Sequence, residues 1–597
     1  MSGRNVKWLD RVSDRHPGLG RGLKYLLAEY WGPYWLATLL APICMLGEVF
    51  TDLLQPWFMS QIVDVGLAAG DQSYIIWTAV KMVGTSMLGI VGASLCMYFS
   101  AKAGYGMAKE LRGELYRKVQ SFSFANLDVF KTGSLVTRIT NDVTQIQNAF
   151  QSCTRMLIRS PFLCIGGVIM VLIISPKLSL VVLATLPLMG IMIYTLMKRA
   201  FPLFGLMQQK LDRVNVVMQE NLAGVRVIKA FGRAEYEKER FRVANDEMTE
   251  VAMRANRIMA MSFPLINLIM NMALIAMYWF GGQMAFGGEL QAGDIMAFSN
   301  YILQILMSLT MSSFMLLFVS RAKVSINRVH EVLNTHSDIV SGEHGELEVT
   351  EGKVEFKNVS FRYPGQGGEP VLRNLSFTAQ PGRTVAILGA TGSGKTSLIS
   401  LIPRLYDATE GQVLVDGHDV REYDLKKLRK GIGVALQESV LFSGSIEENL
   451  KWGDENAPDE VVKESTRIAQ ADPFIQAMAD GYDTQLGQRG VNLSGGQKQR
   501  LSIARALVKR PKILILDDST SAVDMATEAQ IQKGLREVMH ACTVFIIAQR
   551  ISSVMDADEI IVMEDGRIAD VGTHEQLKER CGVYREIVIS QLGKEAV

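Results

Sequence analysis

The chain has 597 residues, with 62 Lys+Arg against 61 Asp+Glu and 48% hydrophobic residues. That length holds several ordinary domains, or a membrane domain joined to one soluble domain. A net charge of +1 gives no electrostatic ground for a nucleic-acid partner. Cys44, Cys96, Cys153, Cys164, Cys542 and Cys581 show no C-x-x-C pair and no metal-ligand spacing, so reduced thiols are expected rather than a disulfide framework.

Residues 1–29 are basic and aromatic, with no apolar core leading to a small-residue cleavage site, and read as an N-terminal cytoplasmic segment. Residues 30–333 then carry long charge-free runs: Tyr30–Gly47, Met82–Ala101, Ser160–Pro176, Leu178–Met197, Ile258–Gly288 and Ile295–Ser320. Each is near or above the ~17–25 residues that span a bilayer, which predicts a six-helix transmembrane domain. Lys and Arg crowd the tail (Arg4, Lys7, Arg11), the segment after helix 2 (Lys109, Arg112, Arg117) and the segment after helix 4 (Lys198, Arg199, Lys210), while Gly281–Asp294 has none. By the positive-inside rule both termini are cytoplasmic and the protein is a multi-pass protein of the cell membrane.

Two cytoplasmic stretches, Lys102–Arg159 and Lys198–Arg257, are too long for loops. Apolar residues at three- and four-residue spacing in Met107–Val119 and Leu206–Asn221 make them helical extensions of helices 2 to 5. Phe124–Gly133 and Leu222–Gly232 interrupt that pattern and read as short cross-helices at the tips. Glu48 and Asp52, in or beside helix 1, are either functional intramembrane acids or groups that already face water. Met259, Met261, Met270, Met272, Met277, Met284, Met296, Met307, Met311 and Met315 are compatible with a flexible apolar cavity and equally with gap-filling or lipid-facing positions.

Residues 334–352 are polar and acidic and form a linker; residues 353–597 read as an α/β domain. Short strands are expected at Val354–Phe356, Val371–Phe377, Val385–Leu388, Val413–Val415, Gly433–Ala435, Ile513–Leu516, Val544–Ile547 and Ile560–Met563, with helices between several of them. Val385–Leu388 leads into Gly389-Ala390-Thr391-Gly392-Ser393-Gly394-Lys395-Thr396-Ser397, which fits the phosphate-loop pattern G-x-x-x-x-G-K-[ST]. Its backbone N–H groups turn towards phosphate oxygens, Lys395 reaches the terminal phosphates, and the Thr396 hydroxyl is placed to ligate Mg²⁺. Ile513–Leu516 ends in Asp517, the carboxylate such a metal requires. Between them, Leu493-Ser494-Gly495-Gly496-Gln497 is a second glycine turn opening a helix. Two phosphate-type sites apart in one domain point to two domain copies sharing nucleotides.

With these motifs the chain resembles a half-transporter of the ATP-binding cassette exporter class over nearly its whole length. The resemblance implies that Tyr363 stacks on adenine, Gly389–Ser397 hold ATP, and Gln437 joins Thr396 and Asp517 around Mg²⁺. It implies that Ser494, Gly495, Gly496, Gln497 and Asp524 contact the ATP of an opposite cassette, and that Phe124–Gly133 and Leu222–Gly232 are coupling helices. The activity it implies is ATP hydrolysis coupled to alternating access.

The chain departs from that pattern at three positions. Asp518 stands where active cassettes carry the catalytic Glu, Gln549 where they carry the switch His, and Gln488 where exporters often have Glu. Asp518 is one methylene short, and a base must lie within about 2.6–3.2 Å of its proton. The pair Asp518 and Gln549 resembles the degenerate-site subunit of bacterial heterodimeric multidrug exporters. The expected function is one subunit of an exporter of amphipathic drugs, lipids or peptides, with a second half-transporter as partner. The alternatives are a homodimeric lipid flippase with slow hydrolysis and an ATP-gated regulatory membrane protein.

Overall fold

A computed structural model describes residues 32–342, 345–364, 369–538 and 542–593, without the side chains of 313–321 and 537–538. The 1–29 segment and the Met315 side chain therefore fall outside what is described. The chain forms two units: residues up to Gln120 with Gly133–Asn334, and Ser121–Thr132 with Thr335–Val597.

Among the described residues of the first unit, six helices are long and apolar enough to cross a membrane: Trp35–Leu67, Gln72–Gln120, Thr132–Ile174, Ser179–Ala223, Ala234–Phe286 and Ala292–Ser312. Helix is what hydrocarbon demands, since every backbone polar group must be satisfied within the segment. Gln72–Gln120 has 49 residues and Ala234–Phe286 has 53. At 1.5 Å per residue these are about 75–80 Å long, against a hydrocarbon core of about 30 Å, so both continue far beyond a bilayer. The two interruptions contain the short helices Phe124–Phe130 and Val225–Ala230.

Several charged residues inside this unit are paired. Arg159, on the third long helix, reaches both acids of the first: Nη1 lies 3.1 Å from Glu48 Oε1 and Nη2 2.8 Å from Asp52 Oδ2. The two acids thus have a specific cationic partner on a neighbouring helix, which neither sequence alternative supplied. Two π-helical turns also carry contacts. In Ile62–Leu67, Asp64 Oδ1 accepts the Gly293 N–H at 2.6 Å. In Arg138–Asp142, Arg138 pairs with Glu331 at 2.7 Å and Asp142 accepts the Ser325 hydroxyl at 2.9 Å. The methionines divide by burial: Met277 is in the core beside Phe298 and Tyr301, whereas Met261, Met272, Met296, Met307 and Met311 are exposed.

The described residues of the second unit contain twelve strands: β1 Val354–Phe361, β2 Leu372–Ala379, β3 Thr384–Gly389, β4 Glu410–Val415, β5 His418–Asp419, β6 Ile432–Ala435, β7 Gly444–Ser445, β8 Gln485–Leu486, β9 Ile513–Asp517, β10 Thr543–Ile547, β11 Glu559–Glu564 and β12 Arg567–Gly572. The eight expected strands are all present with shifted ends. The additional strands are short, or in β12 lack a buried alternation. A four-stranded sheet has the order β2-β1-β4-β5; a six-stranded sheet has the order β12-β11-β3-β10-β9-β6. In the larger sheet β6, β9, β10, β3 and β11 run parallel, and β12 is antiparallel at the edge. β3 and β9 are buried on both faces, which is why they read as continuous apolar runs. Gly389, Asp517, Ile547 and Ala435 all end parallel strands at one edge of the sheet, where open α/β sheets place their ligands.

Candidate functional site

The phosphate loop leaves β3 at Gly389, where a Cβ would collide with the Met563 carbonyl oxygen of β11. It closes at Gly394, whose φ of 97° is left-handed, and the helix Lys395–Leu401 starts there. Lys395 Nζ turns back and donates to the carbonyls of Gly389 and Ala390, each at 2.8 Å. Burial pushes this ammonium below the usual lysine range, while the charges of Asp517 and Asp518 oppose that shift. Ser393 Oγ is buried without a hydrogen-bond partner. A loop with an orphan hydroxyl and a cation bonded to its own carbonyls fits a polyanion, which would satisfy both.

Thr396 Oγ1 donates to Asp517 Oδ1 at 3.3 Å, so two of the three predicted metal ligands are adjacent. Burial raises the Asp517 carboxyl above the ordinary range, partly offset by the Thr396 hydroxyl and Lys395. An all-oxygen set of carboxylate, hydroxyl and the Gln437 amide suits a hard cation such as Mg²⁺. Gln437, two residues past β6, lines the same cleft of ≈ 260 Å³ with Thr391, Gly392, Lys395, Asp517, Asp518 and Gln549.

Asp518 sits at the centre of this polar end. Its backbone is left-handed, φ 46°, and its N–H donates to Ile547 O at 3.0 Å. Gln549 Nε2 donates to its Oδ2 at 3.3 Å, and Gln437 also bonds its carboxylate. Burial raises the Asp518 carboxyl, Lys395 and Arg550 oppose the shift, and Glu528 adds to it. The two substituted positions are therefore bonded to each other.

Of the predicted binding residues, Gly389, Ala390, Ser393 and Tyr363 do not line the cleft. The Tyr363 hydroxyl pairs with Ser397 Oγ at 2.9 Å, and its ring stands edge-on to Tyr406. Ser494, Gly495, Gly496, Gln497 and Asp524 also lie outside the cleft lining. Ser494 caps the helix Gly495–Val508 with a reciprocal box: its Oγ accepts Gln497 N–H at 3.3 Å and its N–H donates to Gln497 Oε1 at 2.9 Å. Ser494 and Gly495 are exposed. Asp524 is exposed, and its Oδ1 accepts the Thr527 N–H at 2.9 Å, which keeps its carboxyl below the usual range.

Three residues that sequence reasoning missed tie these parts together. Gln499, on the helix Gly495–Val508 that the second glycine turn opens (the signature helix), accepts Ala522 N–H at 2.9 Å and donates to Ser521 Oγ at 3.1 Å. Glu528 is buried and accepts from Thr520 at 2.8 Å and Ser553 at 2.5 Å. Gln591, in the last helix, donates to Gln549 O at 2.6 Å and accepts Ile551 N–H at 2.8 Å, holding the switch loop from behind. Each lies far in sequence from at least one partner or outside every motif, so no spacing marked it.

Residues 38–309 match the model for the ABC transporter transmembrane region, and residues 372–521 match the model for the ABC transporter family. The chain is similar to YfiB of Bacillus subtilis, an uncharacterized ABC transporter ATP-binding protein, at 40% identity over 94% of this chain and 98% of that one. It is also similar to the ATP-dependent lipid A-core flippase of Syntrophus aciditrophicus, at 32% identity over 84% of each. A solved bacterial Atm1-family ABC exporter with ATP bound matches with a TM-score of 0.78 and 25% identity, covering 94% of this chain and 99% of that chain. The second unit accordingly contains an ATPase domain coupled to transport. Six membrane helices and one such domain, matched along both parts, place the chain in the ATP-binding cassette exporter family as a half-transporter.

Proposed function

We propose that the chain is one subunit of an ATP-driven exporter of amphipathic drugs, lipids or peptides, paired with a different half-transporter, and that its own cleft retains MgATP but hydrolyses it poorly. Both termini lie in the cytoplasm, on the Lys and Arg asymmetry between alternate connections. Gly389–Ser397 hold the phosphates, Thr396, Asp517 and Gln437 hold Mg²⁺, and Tyr363 meets the base.

The observation that carries the reading is the Gln549–Asp518 contact of 3.3 Å. A carboxylate on a short stem, anchored between two amides, is held away from an attacking water. A displacement of ~1 Å costs on the order of 10²-fold in a positioned reaction. Gln549 adds no titratable group to replace the missing imidazole. The intact turn Ser494–Gln497, exposed at Ser494 and Gly495 and outside this chain's own cleft, then serves the competent site whose phosphate loop and catalytic Glu belong to the partner.

The test is steady-state ATP hydrolysis by the purified chain alone and in a two-chain complex. Slow turnover alone and substrate-stimulated turnover in the complex are expected. Full activity of the chain by itself would replace this reading with a homodimeric flippase, which the similarity to a lipid A-core flippase favours as the second reading.

A further inference from the structure

The short helix Phe124–Phe130 joins two long membrane helices in sequence, yet it belongs to the nucleotide-domain unit. Its residue Ala125 is buried in the same core as Phe361, Leu398 and Tyr406. A capping box fixes its start: Ser123 Oγ accepts Asn126 N–H at 3.3 Å, and Asn126 Oδ1 accepts Ser123 N–H at 3.2 Å. It is seated, not merely adjacent.

Tyr406 receives that helix. Its hydroxyl donates to Asp128 Oδ2 at 2.7 Å, and Phe124 lies 6.1 Å from its ring centre. Tyr406 is 8% exposed, and burial together with the Asp128 carboxylate pushes its phenol well above the usual range. Its backbone is fixed on either side, because Arg404 grips Asp407 at 2.8 Å and the Val340 carbonyl at 2.9 Å. On its far side Tyr406 packs edge-on against Tyr363, centroids 5.3 Å apart and planes at 87°, with Phe361 within 5.5 Å of Tyr406 and 4.9 Å of Tyr363. Tyr363 in turn bonds Ser397 in the phosphate-loop helix at 2.9 Å.

These contacts make one continuous path: Asp128, Tyr406, Tyr363, Ser397. Edge-to-face rings fix each other's orientation, and tightly packed interiors pass displacement on rather than absorbing it. The path ends on the residues assigned above to the base and the proximal phosphates. Gln437 contacts Asp518, at the opposite, hydrolytic end of the cleft.

We propose that Tyr406 is a positioning residue that carries the seating of the Phe124–Phe130 helix to Tyr363 and Ser397, so that nucleotide affinity depends on Asp128, a residue that does not line the cleft. This rests on the reading of Tyr363 and Ser397 as nucleotide contacts. Its consequence is a line from the Phe124–Phe130 helix to the nucleotide, sensitive to whether ATP is bound rather than to whether it is cleaved.

The test is equilibrium ATP affinity of the full-length chain in nanodiscs, read by displacement of trinitrophenyl-ATP. Tyr363→Ala weakens binding at least about 5-fold, as loss of an aromatic stacked on a base does. Tyr406→Phe keeps the ring and removes only the bond to Asp128; it and Asp128→Ala each weaken binding about 3-fold, as loss of one hydrogen bond does, and the double variant is no worse than either single one. Asp128→Asn, which keeps an acceptor oxygen, restores near-wild-type affinity; a merely structural loss would not be rescued in this way. In a Tyr363→Ala background, Asp128→Ala has no further effect. The relay is overturned if Asp128→Ala and Tyr406→Phe leave affinity unchanged while Tyr363→Ala lowers it, or if the Asp128 effect persists undiminished without Tyr363. Unchanged affinity in Tyr363→Ala itself overturns the underlying assignment of Tyr363 instead.

Discussion

The nucleotide domain carries two glycine turns that each open a helix, and they are built in opposite ways. At Gly389–Ser397 the turn is enclosed: Ser393, Lys395 and Asp517 are 4%, 8% and 2% exposed, and the cation bonds its own loop carbonyls. At Leu493–Gln497 the side chains already satisfy each other through the capping box, and Ser494 and Gly495 face outwards. An enclosed turn with unspent polar groups binds a polyanion with what its own chain supplies. In the self-capped, exposed turn the Ser494 and Gln497 backbone N–H groups are spent on the box, and what is left to offer a ligand is the Ser494 hydroxyl hydrogen, the Gln497 amide N–H groups and the glycine N–H groups. On the reading proposed above, one chain then supplies the phosphate loop of one site and the Leu493–Gln497 turn of another. Gln499 connects them, since it sits on the signature helix and reaches Ser521 and the Asp518 carbonyl.

The strongest way to break this comparison is to spoil the exposed turn. Ser494→Ala with Gly495→Asp places a carboxylate where a partner's nucleotide phosphates would lie. Like-charge juxtaposition costs several kcal/mol, so ATP turnover of the two-chain complex should fall by more than about 100-fold while ATP binding in this chain's cleft persists. Near-wild-type turnover would mean that the turn serves no competent site. Spoiling the enclosed turn should give the reverse pattern. Lys395→Ala removes a charge-assisted phosphate contact, and the affinity of this chain's own cleft should drop on the order of 10- to 100-fold, with a smaller effect on the turnover of the complex. Separate affinity and turnover measurements on the two variants show whether the sites are as independent as their construction implies.

The enclosed turn was legible in the sequence because it is local: strand, glycines, Lys395 and Thr396 fall within a dozen residues, and Asp517 is announced by its own apolar strand. The six membrane helices were legible because hydrocarbon imposes a length and a composition. What escaped were side chains whose partners are set by tertiary structure. The Arg159 bridge to Glu48 and Asp52 needs two helices side by side. Glu528 looks like any acid in a helix's first turn until Thr520 and Ser553 close over it. The place of Tyr363 was legible, but its pose was not. The motif implied a ring free to stack, and the structure has it tucked against Tyr406 with its hydroxyl on Ser397.

Smaller effects test whether the enclosed cleft is the poor catalyst proposed above. Asp518→Glu with Gln549→His restores a longer carboxylate and an imidazole. A positioned general base is worth at most about 10²–10⁴-fold, and hydrolysis at this cleft should rise by on the order of 10-fold, detected in a complex whose other site is silenced. Asp518→Ala should lower turnover of the complex by less than about 3-fold if the short Asp518 side chain falls ~1 Å short of a productive position, where a base contributes little. Complete loss would show that Asp518 is the working base after all.

The smallest effect is a titration. Burial raises the folded-state pKa of Asp518, with Glu528 adding to it against the opposing charges of Lys395 and Arg550. An acid whose folded pKa lies above its unfolded value stabilises the fold fully below the unfolded pKa and loses that contribution as pH rises through the folded pKa. At pH 7.5 the ionised carboxylate is therefore a cost to the empty domain. Asp518→Asn removes that cost while keeping an oxygen that accepts from Gln549. The variant's thermal midpoint should exceed wild type at pH 7.5 by on the order of 1 °C, and the two should converge as pH falls through the carboxylate range towards about 4. A variant that is less stable at pH 7.5, or a gap that widens on acidification, would mean that Lys395 and Arg550 outweigh burial. Asp518 would then be a well-stabilised anion available to take a proton, and the contrast between a holding cleft and a hydrolysing one would fail at its central residue.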